Sequence, residues 1–335
     1  MSKKVAINGF GRIGRLVFRI LENSELEVVA INDLSTPEEL AYLLKYDTNH
    51  RTYDVAISHT EDSIIVNGRK IKVFSEKDAQ NLPWGEYNID LVLECSGHYT
   101  KLEDAQKHIT AGAKKVLISA PGKGPMKTIV YGVNDDILDG TEQIVSAASC
   151  TTNCLAPVLK VLEDTFKIKK GNMTTVHAYT NDQVTLDVSH KKGIKERRGR
   201  ACAMNIVPTK TGAASAIGLV IPTLEGKLNG SALRVPVSDG SLVDLVLELE
   251  KKATKEEINK AFQDNISSSL EYTTDPIVSS DIIGSKCGGM VDGNLTTVIA
   301  DSNLIRVVAW YDNEYGYSNQ MVRTAKKMFD IESDV

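Results

Sequence analysis

The sequence predicts an α/β protein: a doubly wound, mostly parallel sheet comes first, then an α+β region built on an antiparallel sheet. Three observations carry this expectation. Lys3-Lys-Val-Ala-Ile-Asn-Gly reads as a short buried strand and runs directly into Gly9-Phe-Gly11-Arg-Ile-Gly14, followed by a helix-periodic segment. Apolar runs then alternate with helical segments to about residue 150, the pattern of parallel strands joined by crossover helices. After residue 170, strand-like runs succeed one another with few helices between them, which favours antiparallel pairing. At 335 residues the chain exceeds the usual span of one core. Two domains are expected, residues 1–149 and 150–315, with an amphipathic helix over 316–335 docked on a domain surface.

The first elements justify themselves in order. A second apolar run, Glu27-Val-Val-Ala-Ile-Asn, ends at Asp33, nineteen residues after Gly14. Strand, glycine turn, helix, strand and acid in this register are the fingerprint of dinucleotide binding. Gly9 permits the tight turn, Gly11 lets the backbone approach a pyrophosphate, and Gly14 lets helix and strand pack closely. Asp33 would accept hydrogen bonds from the adenosine ribose hydroxyls. Thr36-Pro37-Glu38-Glu39 is a capped helix start. Residues 52–74 alternate like strands, with Asn67-Gly68 as a hairpin turn. Residues 89–97 and 114–121 are apolar strands around a helical segment, 101–113. Such sheets bind ligands beyond the carboxyl ends of their strands, where Ser96-Gly97 and Ser119 stand.

Gln143-Ile-Val-Ser-Ala-Ala is strand-like and delivers Cys150 to the first turn of a helix. Leu155, Val158, Leu159, Leu162 and Phe166 give that helix its buried face. Unpaired N–H groups at a helix start favour thiolate over thiol, and Ser149, Thr151 and Thr152 add hydroxyls that suit an anion. Taken alone, a cysteine here is more often core packing than a nucleophile. The later strands are read at 172–180, 233–237, 241–250, 292–300 and 303–310, with helices at 212–220 and 255–267. Six basic residues between 191 and 200 form a loop read as lining a site or a subunit contact.

Composition narrows the function classes. A net charge of −5 argues against a nucleic-acid or anionic-membrane partner held by the overall field. No apolar run approaches membrane-spanning length, and the N-terminus lacks a signal-peptide core. The five cysteines form no Cys-x-x-Cys pair and no disulfide-scaffold density, which fits a reducing cytoplasm. Cys150 and Cys154 have no nearby histidine or third cysteine, so no metal site is expected.

Together these motifs resemble phosphorylating glyceraldehyde-3-phosphate dehydrogenase. The resemblance covers the whole chain and rests on Asn8-Gly-Phe-Gly-Arg-Ile-Gly-Arg15, Ser149-Cys-Thr-Thr-Asn153, His177-Ala-Tyr-Thr180, Thr211-Gly-Ala-Ala214, Leu233-Arg-Val-Pro236 and Trp310-Tyr-Asp-Asn-Glu-Tyr315. It implies a Rossmann-type NAD domain, a catalytic domain, a last helix returning to the NAD domain, and a cytoplasmic homotetramer. It also implies oxidation of glyceraldehyde 3-phosphate in glycolysis and gluconeogenesis, with hydride passing to the nicotinamide and inorganic phosphate releasing an acyl phosphate. Cys150 is then the nucleophile that forms a thiohemiacetal and thioester, with His177, one of six histidines, its base. Thr180 and Arg234 would hold the substrate phosphate; Ser149, Thr151, Thr211 and Gly212 would hold the attacking phosphate. Arg12 and Ile13 would meet the cofactor pyrophosphate through their backbone, and Asn313 would orient the nicotinamide carboxamide. Tyr317 would flank the nicotinamide pocket, though a core tyrosine is an equal reading.

Rivals remain at this level. A sister activity such as erythrose-4-phosphate dehydrogenase shares the thioester logic, and a redox-sensing binding protein could keep the fold without turnover. Cofactor choice is graded. Asp33 would repel the 2′-phosphate of NADP, whereas Val188-Ser189-His190 stands where NAD-specific relatives carry, on a loop contributed by a neighbouring subunit, a bulky Leu-Pro pair ahead of a histidine; the smaller Ser189 could donate a hydrogen bond to that phosphate. A clear NAD preference with weak NADP use is expected.

Overall fold

The computed structural model describes residues 2–22, 24–190, 193 and 195–331. The chain divides into two compact units. One comprises the residues up to 129, 135–149 and those from 321 onward; the other comprises 130–134 and 150–320.

In the first unit the chain forms β1 (Lys3–Asn8), α1 (Arg12–Leu21), β2 (Leu26–Asn32), α2 (Pro37–Lys45), β3 (Ile57–Thr60), β4 (Ser63–Val66) and β5 (Arg69–Phe74). It continues with β6 (Leu91–Glu94), α3 (Leu102–Thr110), β7 (Lys115–Ile118), β8 (Lys127–Thr128) and β9 (Ile144–Ser146). The sheet order is β3-β4-β5-β2-β1-β6-β7-β9-β8. Pairing is parallel from β5 to β8 and antiparallel only in the β3-β4-β5 meander. Successive side chains of a strand point to opposite faces, so Val5 and Ile7 enter one buried cluster and Ala6 the other. The order reverses at β1, with β2 on one side and β6 on the other. That reversal opens a crevice beyond the strand ends, where ligands of doubly wound sheets bind.

The second unit begins with α4 (Cys150–Phe166) and β10 (Ile168–Ala178). It goes on through β11 (Val207–Lys210), α5 (Ala213–Val220), β12 (Leu228–Val235), β13 (Ser241–Leu249), α6 (Lys255–Gln263), β14 (Leu270–Thr273), β15 (Gly289–Asp292), β16 (Thr297–Val298) and β17 (Leu304–Tyr311). The main path of its sheet is β11-β12-β10-β13-β17-β15-β14. It is predominantly antiparallel, but β10–β12 and β14–β15 pair in parallel, so the sheet is mixed. The β10–β12 pairing is parallel because more than a strand turn separates them: the basic loop, β11 and α5 intervene and bring the chain back in the same direction.

The last helix, α7 (Tyr315–Lys327), begins one residue earlier than 316 and ends at Lys327, short of the expected 335, with a turn over 328–330; residues 332–335 of the expected helix lie outside those described. Met321, Val322 and Ala325, with Met328 just beyond, sit in the buried cluster of the first unit beside Val17, Leu21 and Leu26. No helix among the described residues is long and apolar enough to cross a membrane.

Candidate active site

The glycine turn of the first unit is shaped for a dinucleotide. Gly9 has φ +89°, and a Cβ there would lie 2.5 Å from Ser96 N. At Gly14 a Cβ would lie 2.2 Å from Gly9 O, so helix and turn close only over hydrogen. Gly11 instead faces open space at the start of α1, a helix with no side-chain cap and no acid in its first turn. Its first N–H groups are therefore available to a pyrophosphate. Arg12 spends its guanidinium on Asp47, in a two-pronged contact at 2.5 and 3.1 Å. Ile13 is half-buried against the core. A cleft of about 610 Å3 follows, lined by Asn8, Gly9, Gly11, Asn32, Asp33, Ser96 and their neighbours. Asp33 stands at its wall, and its carboxylate accepts from Phe10 N at 2.8 Å and Ser35 N at 3.0 Å. The residues present fit an NAD adenosine and pyrophosphate. Ser119 lies past the end of β7, its N–H donating to Glu94 O at 2.9 Å.

Cys150 is the first residue of α4, two residues after Ala148, whose φ of +57° turns the chain sharply out of β9. An alanine in this region is strained. Cys150 Sγ lies 3.5 Å from His177 Nε2, near the end of β10. The other ring nitrogen, Nδ1, is 2.6 Å from Ala178 O and 3.1 Å from Arg234 Nη1. Burial pushes the Cys150 thiol up, opposed chiefly by the positive charge of Arg234. Burial first, then Arg234, pushes His177 down to about 3. The imidazole is thus neutral, and the cation acting on the sulfur is Arg234.

Arg234 stands opposite His177 in the parallel β10–β12 register. Its Nη1 donates to Ala178 O at 2.9 Å and Thr180 Oγ1 at 3.0 Å. Thr180 in turn donates to Asp182, which also receives Arg198. Burial and the like charge of Arg198 both lower the Arg234 pKa, so two guanidiniums repel each other where no phosphate divides them. Thr211 Oγ1 accepts from Ala213 N at 3.2 Å and, with Gly212, forms the uncapped start of α5. Ser149 immediately precedes Cys150. Thr151 is buried, its hydroxyl 2.9 Å from that of Tyr311. Asn313 is buried, and its Oδ1 accepts from Ser241 Oγ at 2.6 Å, which leaves the amide nitrogen as its remaining donor group. Tyr317 is buried in α7.

Four contributors escaped the sequence reading. Tyr311 bridges the Thr151 and Thr175 hydroxyls at 2.9 and 2.8 Å and meets the His177 ring edge-on at 5.9 Å. Ser241 fixes Asn313, and Asp182 with Arg198 flanks Thr180 and Arg234. The basic run was the one signal for Arg198. Of that run, residues 191, 192 and 194 lie outside those described; Arg198 and Arg200 are held by Asp182 and Asp187.

Comparison with known proteins gives the family. Residues 3–102 match the family model for the glyceraldehyde 3-phosphate dehydrogenase NAD binding domain, and residues 149–313 that for the C-terminal domain of the same family. The chain is 55% identical over 324 residues to proteins named glyceraldehyde-3-phosphate dehydrogenase from Clostridium acetobutylicum and Clostridium pasteurianum, covering 96% of this chain and 97% of each relative. A protein of that name from Streptococcus pyogenes is 53% identical over 328 residues, 97% of both chains.

Proposed function

The chain belongs to the glyceraldehyde 3-phosphate dehydrogenase family, and from that premise we propose that it oxidises and phosphorylates glyceraldehyde 3-phosphate to 1,3-bisphosphoglycerate, in glycolysis and gluconeogenesis. The cofactor is NAD. The observation that carries the reading is the 3.5 Å contact of Cys150 Sγ with His177 Nε2, beside the half-buried Arg234.

Cys150 Sγ attacks the aldehyde carbon; a C–S bond forms, and the carbonyl oxygen takes a proton to give a thiohemiacetal. A neutral His177 is able to accept the hydroxyl proton at Nε2 as this adduct is oxidised to a thioester. Bound NAD supplies the hydride acceptor. An oxygen of inorganic phosphate then attacks the thioester carbon, the C–S bond breaks, and Cys150 leaves as thiolate. Thr180 and Arg234 hold the substrate's phosphate, which relieves the Arg234–Arg198 repulsion. Ser149, Thr151, Thr211 and Gly212 receive the attacking phosphate, with Tyr311 orienting the Thr151 hydroxyl. Gly9, Gly11, Arg12, Ile13, Gly14, Asp33, Ser119, Asn313 and Tyr317 make up the cofactor set. A cytoplasmic homotetramer completes the proposal.

A steady-state assay tests it: NADH should appear from glyceraldehyde 3-phosphate only with phosphate or arsenate, and erythrose 4-phosphate should turn over more slowly. Cys150→Ser should abolish turnover and keep NAD binding, since an alcohol is a far weaker nucleophile. Iodoacetate should label Cys150 before Cys95, Cys154, Cys202 and Cys287; first labelling elsewhere, by mass-spectrometric mapping, defeats the nucleophile assignment.

A further inference from the structure

We propose that Glu94 is a positioning residue for cofactor binding, acting through a buried hydrogen-bonded chain that runs from Trp84 through His108 and Glu94 to the wall of the dinucleotide cleft. The inference rests on the NAD reading of that cleft. Every link lies in the first unit.

The chain has a fixed direction. Indole N–H only donates, and Trp84 Nε1 lies 3.1 Å from His108 Nδ1, so Nδ1 is the acceptor and the ring proton of the neutral imidazole sits on Nε2. Nε2 then donates to Glu94 Oε2 at 3.0 Å. The same oxygen accepts from Asn8 Nδ2 at 2.5 Å, while Oε1 accepts from Ser96 N at 2.8 Å and Ser96 Oγ at 2.5 Å. Because Asn8 gives its nitrogen to Glu94, its oxygen is left to accept from Asn32 Nδ2 at 2.7 Å. Asn32 is then locked on the backbone of Glu76, accepting from its N–H and donating to its carbonyl, both at 2.9 Å. Reversing any one amide or the imidazole tautomer would set donor against donor.

The outlets of this chain are cleft residues. Asn8, Asn32, Glu76 and Ser96 all line the cleft. The Ser96 turn that Glu94 holds is also the surface on which Gly9 rests, where a Cβ would come within 2.5 Å of Ser96 N. Displacing Ser96 therefore displaces the glycine turn. Glu94 is 1% exposed and His108 0%. An apolar side chain of similar size would avoid the cost of burying a carboxylate, so four converging donors suit a group retained for orientation.

The test compares NAD dissociation constants by calorimetry in the wild type, Glu94→Gln, His108→Leu and His108→Gln, alongside melting temperature and the rate of Cys150 alkylation without cofactor. A glutamine at 108 can still accept from Trp84 and donate to Glu94; leucine fills the space and does neither. Glu94→Gln and His108→Leu should weaken NAD binding about tenfold or more, while His108→Gln stays within about threefold of wild type. The NAD KM should rise more than kcat falls, and cofactor-free alkylation should stay within about twofold, because Cys150 belongs to the other unit. Unchanged NAD affinity in Glu94→Gln overturns the proposal. So does equal behaviour of the leucine and glutamine variants at 108, which would make the site a matter of volume. Failure of the wild type itself to bind NAD would strike the cofactor reading instead.

Discussion

Arg234 reaches His177, Ala178 and Thr180 because β12 runs parallel to β10 with the arginine directly opposite the histidine. One side chain thus opposes the effect of burial on the nucleophile, adds to burial in keeping the base neutral and presents a donor fork to a phosphate. Arg234→Leu should reduce kcat/KM on the phosphorylated aldehyde by more than tenfold, since losing a buried charge-assisted contact costs about 2–5 kcal/mol. Unphosphorylated glyceraldehyde should lose only the effect of Arg234 on Cys150 and His177, so its loss should be smaller, and equal losses on both substrates would show that Arg234 makes no phosphate contact. Asp33 is a comparable case in the first unit. Its carboxylate is set to repel a 2′-phosphate, and repulsion of several kcal/mol outweighs the roughly 1–3 kcal/mol that one hydrogen bond from Ser189 could return. The wild type should prefer NAD clearly, and Asp33→Gly should gain substantially on NADP. The structure adds a cost to that variant, because the carboxylate also holds Phe10 N inside the glycine turn. A wild type with higher kcat/KM on NADP than on NAD would refute the argument.

Elements show where the sequence was readable and why. Thr36 caps α2 as its sequence promised, accepting from Glu39 N while Glu39 reaches back to Thr36 N at 2.8 Å. Thr36→Ala should therefore cost about 1 kcal/mol, seen as a lower melting temperature with kcat unchanged. The Asn67-Gly68 turn was legible because φ values of +50° and +80° select for those residues. Ala148 takes the same left-handed region with a side chain that gives no sign of it, so the bend that aims Cys150 could not be read. The strand expected at 292–300 is mostly turn: it holds only the two-residue β16, and β15 ends where it was expected to begin, at Asp292. β11 and β14 were missed; each has four residues, too few to show a period. In the site, residues carried by the glycine turn or the cysteine motif were visible in advance. Tyr311 and Ser241 were not, because their partners lie far away in sequence and only the sheet register brings them together; Asp182 was not, because it meets Thr180 and Arg198 in loop segments that carry no period.

At the scale of the whole molecule, two buried groups in the second unit set opposite pH slopes on folding. His177, held down at about 3, is neutral in the folded state while an unfolded histidine titrates near about 6.5. Between those values the unfolded chain binds the extra proton, so this contribution is complete above about 6.5 and is lost as pH falls towards 3. Asp239, in the turn between β12 and β13, is fully buried. Burial, then the charges of Asp312 and Glu314, push its carboxyl up to about 9. An unfolded aspartate titrates near about 3.9, so the folded state binds the extra proton from there to about 9, and stability falls as pH rises through that window. The two slopes oppose each other below about 6.5, and above it the Asp239 slope acts without His177. Carboxylates held below their usual range, among them Asp47, Asp90 and Asp182, add a loss of stability at strongly acid pH. Stability should therefore be broadly flat from mildly acid pH to about 6.5 and decline towards 9. Asp239→Asn keeps a donor at that position without a titrating proton, so it should flatten the decline. Guanidinium midpoints at several pH values between neutral and 9 would measure this, and an identical alkaline fall in wild type and variant would place its origin in another group.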